Sequence, residues 1–109
     1  MKNFREVNEE NYVSFYTMDE LVFSLKRNVK VWSWGAANFI NDRKKFLKFH
    51  VNGHLFKGQV IIAVNGSDLF DVFLTKASGE IIHEMNDIFI GDLIDSIDEK
   101  VEKIPGYRF

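Results

Sequence analysis

The stretch from Lys45 to Glu84 constrains the fold of this chain more than any other. Runs of alternating apolar residues are punctuated there by Asn52-Gly53, Asn65-Gly66-Ser67 and Ala77-Ser78-Gly79. Asn-Gly is the strongest short hairpin signal, because both residues tolerate the positive φ of a tight type I′ turn. A two-residue turn at Asn52-Gly53 sets Val51 opposite His54, Phe49 opposite Phe56 and Leu47 opposite Gly58. One face then carries Leu47, Phe49, Val51, His54, Phe56, Val60, Ile62 and Val64, and is expected to face the core. The other carries Phe46, Lys48, His50, Leu55, Lys57, Gln59, Ile61 and Ala63.

A slip of one residue exchanges the two faces of a strand, so loop lengths are testable by asking which keep apolar residues together. A two-residue turn at Asn65-Gly66 would set Asp71 beside Val60 on the core face; a three- or five-residue loop instead aligns Phe70, Val72 and Leu74 with Ile62 and Val60. The odd length is therefore predicted. The same test on the next loop favours four residues, Lys76 to Gly79, with Ile81, His83 and Met85 inward and Ile82 and Glu84 outward.

Around this sheet the chain offers two helices. Thr17-Met18-Asp19-Glu20 reads as a capping box, followed by an apolar stripe of Met18, Leu21, Val22 and Leu25 and by Lys26 and Arg27, cations suited to a helix end. Ile90, Leu93, Ile94, Ile97, Val101 and Ile104 form a second stripe over roughly Ile90 to Glu102, closed by Pro105-Gly106. Its other side carries Asp92, Asp95, Asp98, Glu99 and Glu102, a run that usually marks a solvated face. Val29 to Gly35 reads as a strand in which either the valines or Trp32 and Trp34 face the core; residues 36–44 read as a solvated loop. Residues 1–16 are expected to form a mobile N-terminal arm, and residues 17–109 a single domain. The expected class is α+β, a four- to five-stranded antiparallel meander with an N-terminal and a C-terminal amphipathic helix packed on it.

Composition narrows the function classes. Eleven phenylalanines and a hydrophobic content of 46% argue against disorder. There is no cysteine, hence no disulfide or thiolate chemistry. The longest apolar run, Val60 to Val64, falls far short of the roughly 20 residues a spanning helix needs. With no signal-like start, a cytoplasmic location is expected. Charge is polarised: Met1–Lys57 carries ten basic against six acidic residues, and Gly58–Phe109 four against ten.

Trp32-Ser33-Trp34-Gly35, His54-Leu55-Phe56-Lys57-Gly58, Asn65-Gly66-Ser67-Asp68-Leu69-Phe70-Asp71-Val72, Asp92-Leu93-Ile94-Asp95 and Ile104-Pro105-Gly106-Tyr107 together resemble small uncharacterised single-domain proteins of gut-type (Bacteroidetes-like) bacteria. The resemblance spans about Trp32 to Tyr107 and implies no activity or functional residue.

No catalytic spacing, phosphate loop or dinucleotide fingerprint is present. No catalytic, metal-binding or cofactor-binding residue is assigned, and no cofactor is expected. His50 and His54 fall on opposite faces of the hairpin, which argues against a shared metal, and His83 is expected against Val72. Asp68 and Asp71 point to opposite faces, with Asp68 expected to close its turn through backbone N–H groups. The outer sheet face is the strongest candidate interaction surface: Trp32, Trp34, Phe46, Lys48, His50, Lys57, Ile61, Phe73 and Ile82 give it a large apolar load. A helix or the arm, a like subunit in a homodimer, or a nucleic-acid strand are the coverings it suggests. The expectation is a non-catalytic interaction domain, self-associating or binding a protein partner through that face. The alternative is a nucleic-acid-binding accessory protein using the basic patch Arg43, Lys44, Lys45, Lys48 and Lys57 with its aromatic neighbours.

Overall fold

Five consecutive strands form an antiparallel meander in chain order: β2 (Ala37–Asp42), β3 (Phe46–Asn52), β4 (Lys57–Asn65), β5 (Phe70–Thr75) and β6 (Ile81–Ile88). A computed structural model of the chain describes residues 2–102. A two-residue strand, β1 (Tyr12–Val13), pairs with the end of β4. The helices α1 (Met18–Lys26), α2 (Val29–Ser33) and α3 (Leu93–Val101) complete an α+β domain. Among the described residues no helix is long and apolar enough to cross a membrane.

The core face is built as the alternation dictates. Leu47, Phe49, Val51, Val60, Ile62, Val72 and Leu74 pack with Leu21 and Leu25 of α1 and with Leu93, Ile97 and Val101 of α3. The first hairpin reaches this face in a different register from the tight turn expected. Asn52 pairs with Lys57, Val51 with Gly58 and Phe49 with Val60 across a four-residue connection. The cause is tertiary: Leu55 N and Phe56 N both donate to the Val101 carbonyl at the end of α3, so the loop satisfies a helix terminus that would otherwise lack partners. The register moves by four residues, an even number, so the paired strand residues keep their faces, while His54, expected on the core face, lies exposed in the connection.

The next connection has the predicted odd length, with Val64 opposite Phe70, Ile62 opposite Val72 and Val60 opposite Leu74. Asn65, rather than Asp68, organises it: the Asn65 Oδ1 accepts from Ser67 N and Leu69 N. The β5–β6 pairing corrects the four-residue loop. Thr75 lies opposite Ile81 but Leu74 opposite His83, so Ile82 is the extra residue of a bulge. Ile81 consequently packs on the outer side of the sheet.

Two other segments differ from expectation. Val29–Ser33 is a short helix, begun where the Asn28 side chain accepts from Lys30 N. Helical spacing puts Val31 and Trp34 inside, at 1% and 0% exposure, and Val29 and Trp32 outside, at 67% and 72%. Residues 37–42, expected as loop, pair with β3 from Asp42–Phe46 to Ala37–His50. The hairpin between them turns at Arg43 and Lys44, both with φ near +60°, with Lys45 N bonded to Asp42 O. That conformation normally calls for Asn or Gly. α1 starts where expected, yet Thr17 makes no side-chain cap, because its backbone (ψ 18°) is not extended. Of the second helix, Ile90–Asp92 is a 3₁₀ turn preceding α3, and Ile90 is exposed. Ile104 and Pro105-Gly106 lie outside the described residues.

Gly53 is where loop and helix meet most closely, since a Cβ there would overlap the Val101 carbonyl oxygen. Gly53→Ala is expected to destabilise the fold by about 2 kcal/mol. Gly66→Ala, with open space at its position, should stay within about 0.5 kcal/mol of wild type. Urea unfolding of the two variants provides the comparison.

Candidate functional site

The outer sheet face is filled from within the chain. Phe46, Ile61, Ala63 and Phe73 form a second, smaller core with Phe4 and Tyr12, both from the segment expected as an arm. The Phe4 ring meets Phe46 edge-on at 5.1 Å and Phe73 at 5.5 Å; Tyr12 meets the same two rings. Backbone bonds hold the segment in place, Phe4 N donating to Gly79 O and Ile81 N to Lys2 O. A capping box at Asn3 and Glu6 fixes the 3₁₀ turn that carries Phe4. Phe46, Ile61 and Phe73 are therefore unavailable to a partner while the segment is docked.

The remaining expected site residues do not converge. Trp34 is buried in the main core, while Trp32 is exposed on α2, its Nε1 donating to Lys26 O. His50 and Lys57 are exposed toward the far end of the β3–β4 hairpin from Arg43, and Ile82 sits in the β6 bulge. The basic patch is divided and paired. Arg43 bonds Glu9 at 2.6 Å and Asp42 at 3.0 Å, Lys48 bonds Asp42 at 3.0 Å, and Lys45 Nζ donates to Glu9 O; Lys44 is exposed. Burial alone would raise the Asp42 carboxyl, but hydrogen bonds from Arg43 and Lys48 hold it below the usual range. The three histidines also stand apart: His50 on the outer face, His83 edge-on to Phe56, and His54 bonded through Nδ1 to Glu102 at 2.5 Å.

Two acidic residues expected on a solvated helix face are buried. Asp98 accepts from Trp34 Nε1 at 2.8 Å, and Glu102 accepts from His54 N at 2.8 Å. Both tie α3 to its neighbours, so the acidic side of this helix is only partly available to a partner. At the other end of the sheet, buried Asp71 accepts from Tyr12 Oη, Asn65 Nδ2 and Asp87 N, each at 3.0 Å. Three donors compensate a carboxylate taken from water.

On the opposite side, the helical layer leaves a cleft of about 680 Å³ between the α1–α2 corner and the start of α3. Val29, Ile90 and Ile94 supply its apolar surface, and Arg27, Lys30 and Asp95 its charges, with Lys30 and Asp95 paired at 2.5 Å. A smaller depression between α1 and α3, of about 370 Å³, shares Ile90 and Ile94 with it. Residue type alone did not mark this cleft, because it depends on α2 being a helix. Comparison with protein-family models, curated proteins and solved structures found no match to the chain.

Trp34→Phe removes the indole donor from buried Asp98 and should cost about 2 kcal/mol in urea unfolding; Asp98→Asn, which retains an acceptor, should cost less. Burial, and then the hydrogen bond to Asp71, push the Tyr12 phenol above its ordinary value of 10.0. The folded state thus binds this proton more tightly than the unfolded chain. Its contribution is fully present below about pH 10 and is lost as the pH rises beyond it. Unfolding midpoints measured from neutral to alkaline pH should fall more steeply for wild type than for Tyr12→Phe.

Proposed function

We propose that the chain is a non-catalytic interaction domain whose partner-binding surface is the helical layer, centred on the cleft between α2 and the start of α3. The observation that carries this reading is the gathering of exposed apolar side chains around that cleft. Val29 and Ile90 line it, Trp32 lies one helical turn from Val29, and Phe23 holds the Arg27 guanidinium 5.1 Å over its ring. Grouped exposed apolar residues, aromatic and Arg side chains among them, are the usual composition of a binding centre. The outer sheet face is less suited to this role because Phe4 and Tyr12 fill its apolar half.

The occupant that fits is a segment of a partner protein presenting bulky apolar side chains flanked by carboxylates. Lys26 and Arg27 bring two cations to the α1–α2 corner beside the Lys30–Asp95 pair, and an acidic flank complements them. Selection from a random peptide library on the immobilised protein, followed by titration of the consensus peptide, tests this. An apolar consensus with Asp or Glu neighbours is expected, binding at least about tenfold more weakly to Val29→Glu and to Ile90→Glu. Both positions are exposed, so both variants should unfold at the wild-type midpoint. Failure to enrich a consensus, or equal binding by the variants, would refute the reading. A wild-type dimer abolished by Ile90→Glu would instead make a second copy the occupant.

A further inference from the structure

A second site lies on the outer sheet face, beside the docked segment and separate from the helical cleft. Here the sheet is polar where the aromatic half ends: Lys48, Gln59 and Thr75 lie near Ile61, because Lys48 pairs with Ile61 and Gln59 with Thr75. A cavity of about 290 Å³ opens over these residues, roofed by Asn3, Phe4 and Arg5 and closed at one side by the β5–β6 loop. Its size is just below the roughly 300 Å³ at which the usual range for small-molecule sites begins, which suits only a small ligand. Thr75 lines the floor. Its side chain has no surface open to solvent, so a ligand reaches its hydroxyl only when the lining side chains above it shift, and that hydroxyl is the one buried side-chain polar atom without a hydrogen-bond partner found among the described residues. Buried hydroxyls are almost always bonded, so an orphan bordering a cavity marks a group with a further partner.

The chemistry of the lining sets the sign of that partner. Arg5 and Lys48 are cationic, and no lining residue among those described is acidic. Lys48 Nζ lies 3.0 Å from Asp42 and 5.1 Å over the Phe4 ring, held at the edge of the cavity by both. Phe4 and Ile61 give the site an apolar wall. We infer that this cavity binds a small organic anion, its charged oxygens toward Lys48, Arg5 and the Thr75 hydroxyl and its short apolar body against Phe4 and Ile61. The anion would share Lys48 with Asp42, a charge-assisted arrangement stronger than a neutral hydrogen bond. Because the roof belongs to the N-terminal segment, occupancy also stabilises the docking of that segment.

Amide NMR titration of the full chain tests the site, with butyrate, inorganic phosphate and neutral butanol as probes. Saturable millimolar shifts at Phe4, Ser78 and Gly79 are expected with butyrate, and at least about tenfold weaker binding of butanol. Binding of phosphate in preference to butyrate would assign the charged group to a phosphate rather than a carboxylate and keep the site. Thr75→Val and Lys48→Met should each weaken butyrate about tenfold; Arg5→Gln, an exposed change that leaves both cores intact, should weaken it measurably. Ligand should also slow hydrogen exchange of the Phe4 amide, which bonds to Gly79 O. The inference is overturned if neither anion gives saturable shifts, if butanol binds as well as butyrate, or if folded Thr75→Val binds as tightly as wild type. The last result would assign the hydroxyl to a bridging water.

Discussion

The central strands have no side that tolerates water. All six residues of β5 are buried, and so are Val60 to Ala63 of β4, side chains from both faces of the sheet. A sheet of this composition is stable only with two coverings, and the chain supplies two different ones. Three helices close the inner face with a core of aliphatic and aromatic side chains. A segment with little regular structure closes part of the other through two aromatic rings. The remaining outer surface, around Lys48, Gln59 and Thr75, is where the covering is incomplete, and the polar cavity lies at that boundary.

The same constraint explains which features were legible in the residues. Along β3 to β5 the face assignments survived even where the pairing did not, because a buried face penalises odd slips and leaves even ones nearly unmarked; on β6 the bulge at Ile82 moved Ile81 to the outer side. Asn52-Gly53 signalled a hairpin correctly and its loop length incorrectly, since the end of α3 claims the amides of Leu55 and Phe56. The β2–β3 hairpin was invisible: Arg43 and Lys44 adopt a left-handed conformation that neither residue advertises. α2 is five residues long, too short for a period of 3.6 to be told from a period of 2. Had it been read as a helix, the pairs Val31/Trp34 and Val29/Trp32 would have separated core from surface.

The sites were harder to read than the fold. The tryptophans looked equivalent, yet one anchors a buried carboxylate and the other faces solvent. Asp98 and Glu102 looked like a solvated helix edge, and only the packing of α3 on Trp34 and the His54 loop gives them partners. Thr75 carried no signal at all, since a threonine in a strand is ordinary and its unsatisfied hydroxyl exists only in three dimensions. What composition did indicate, an outer face with too many apolar residues, was a sound reading of a surface that the chain itself covers.

The docking of Phe4 has a kinetic consequence. Asn3 reaches Ser78 across a separation of 75 residues, and its bridge partner is Glu80. A segment that precedes the sheet in the chain therefore has its binding surface assembled only after β3 to β6 exist. Contacts so distant in sequence carry a large loop-closure cost and form late. Until they do, Phe46, Ile61 and Phe73 stand open on a nearly finished sheet, and that interval is when the chain is most exposed to aggregation.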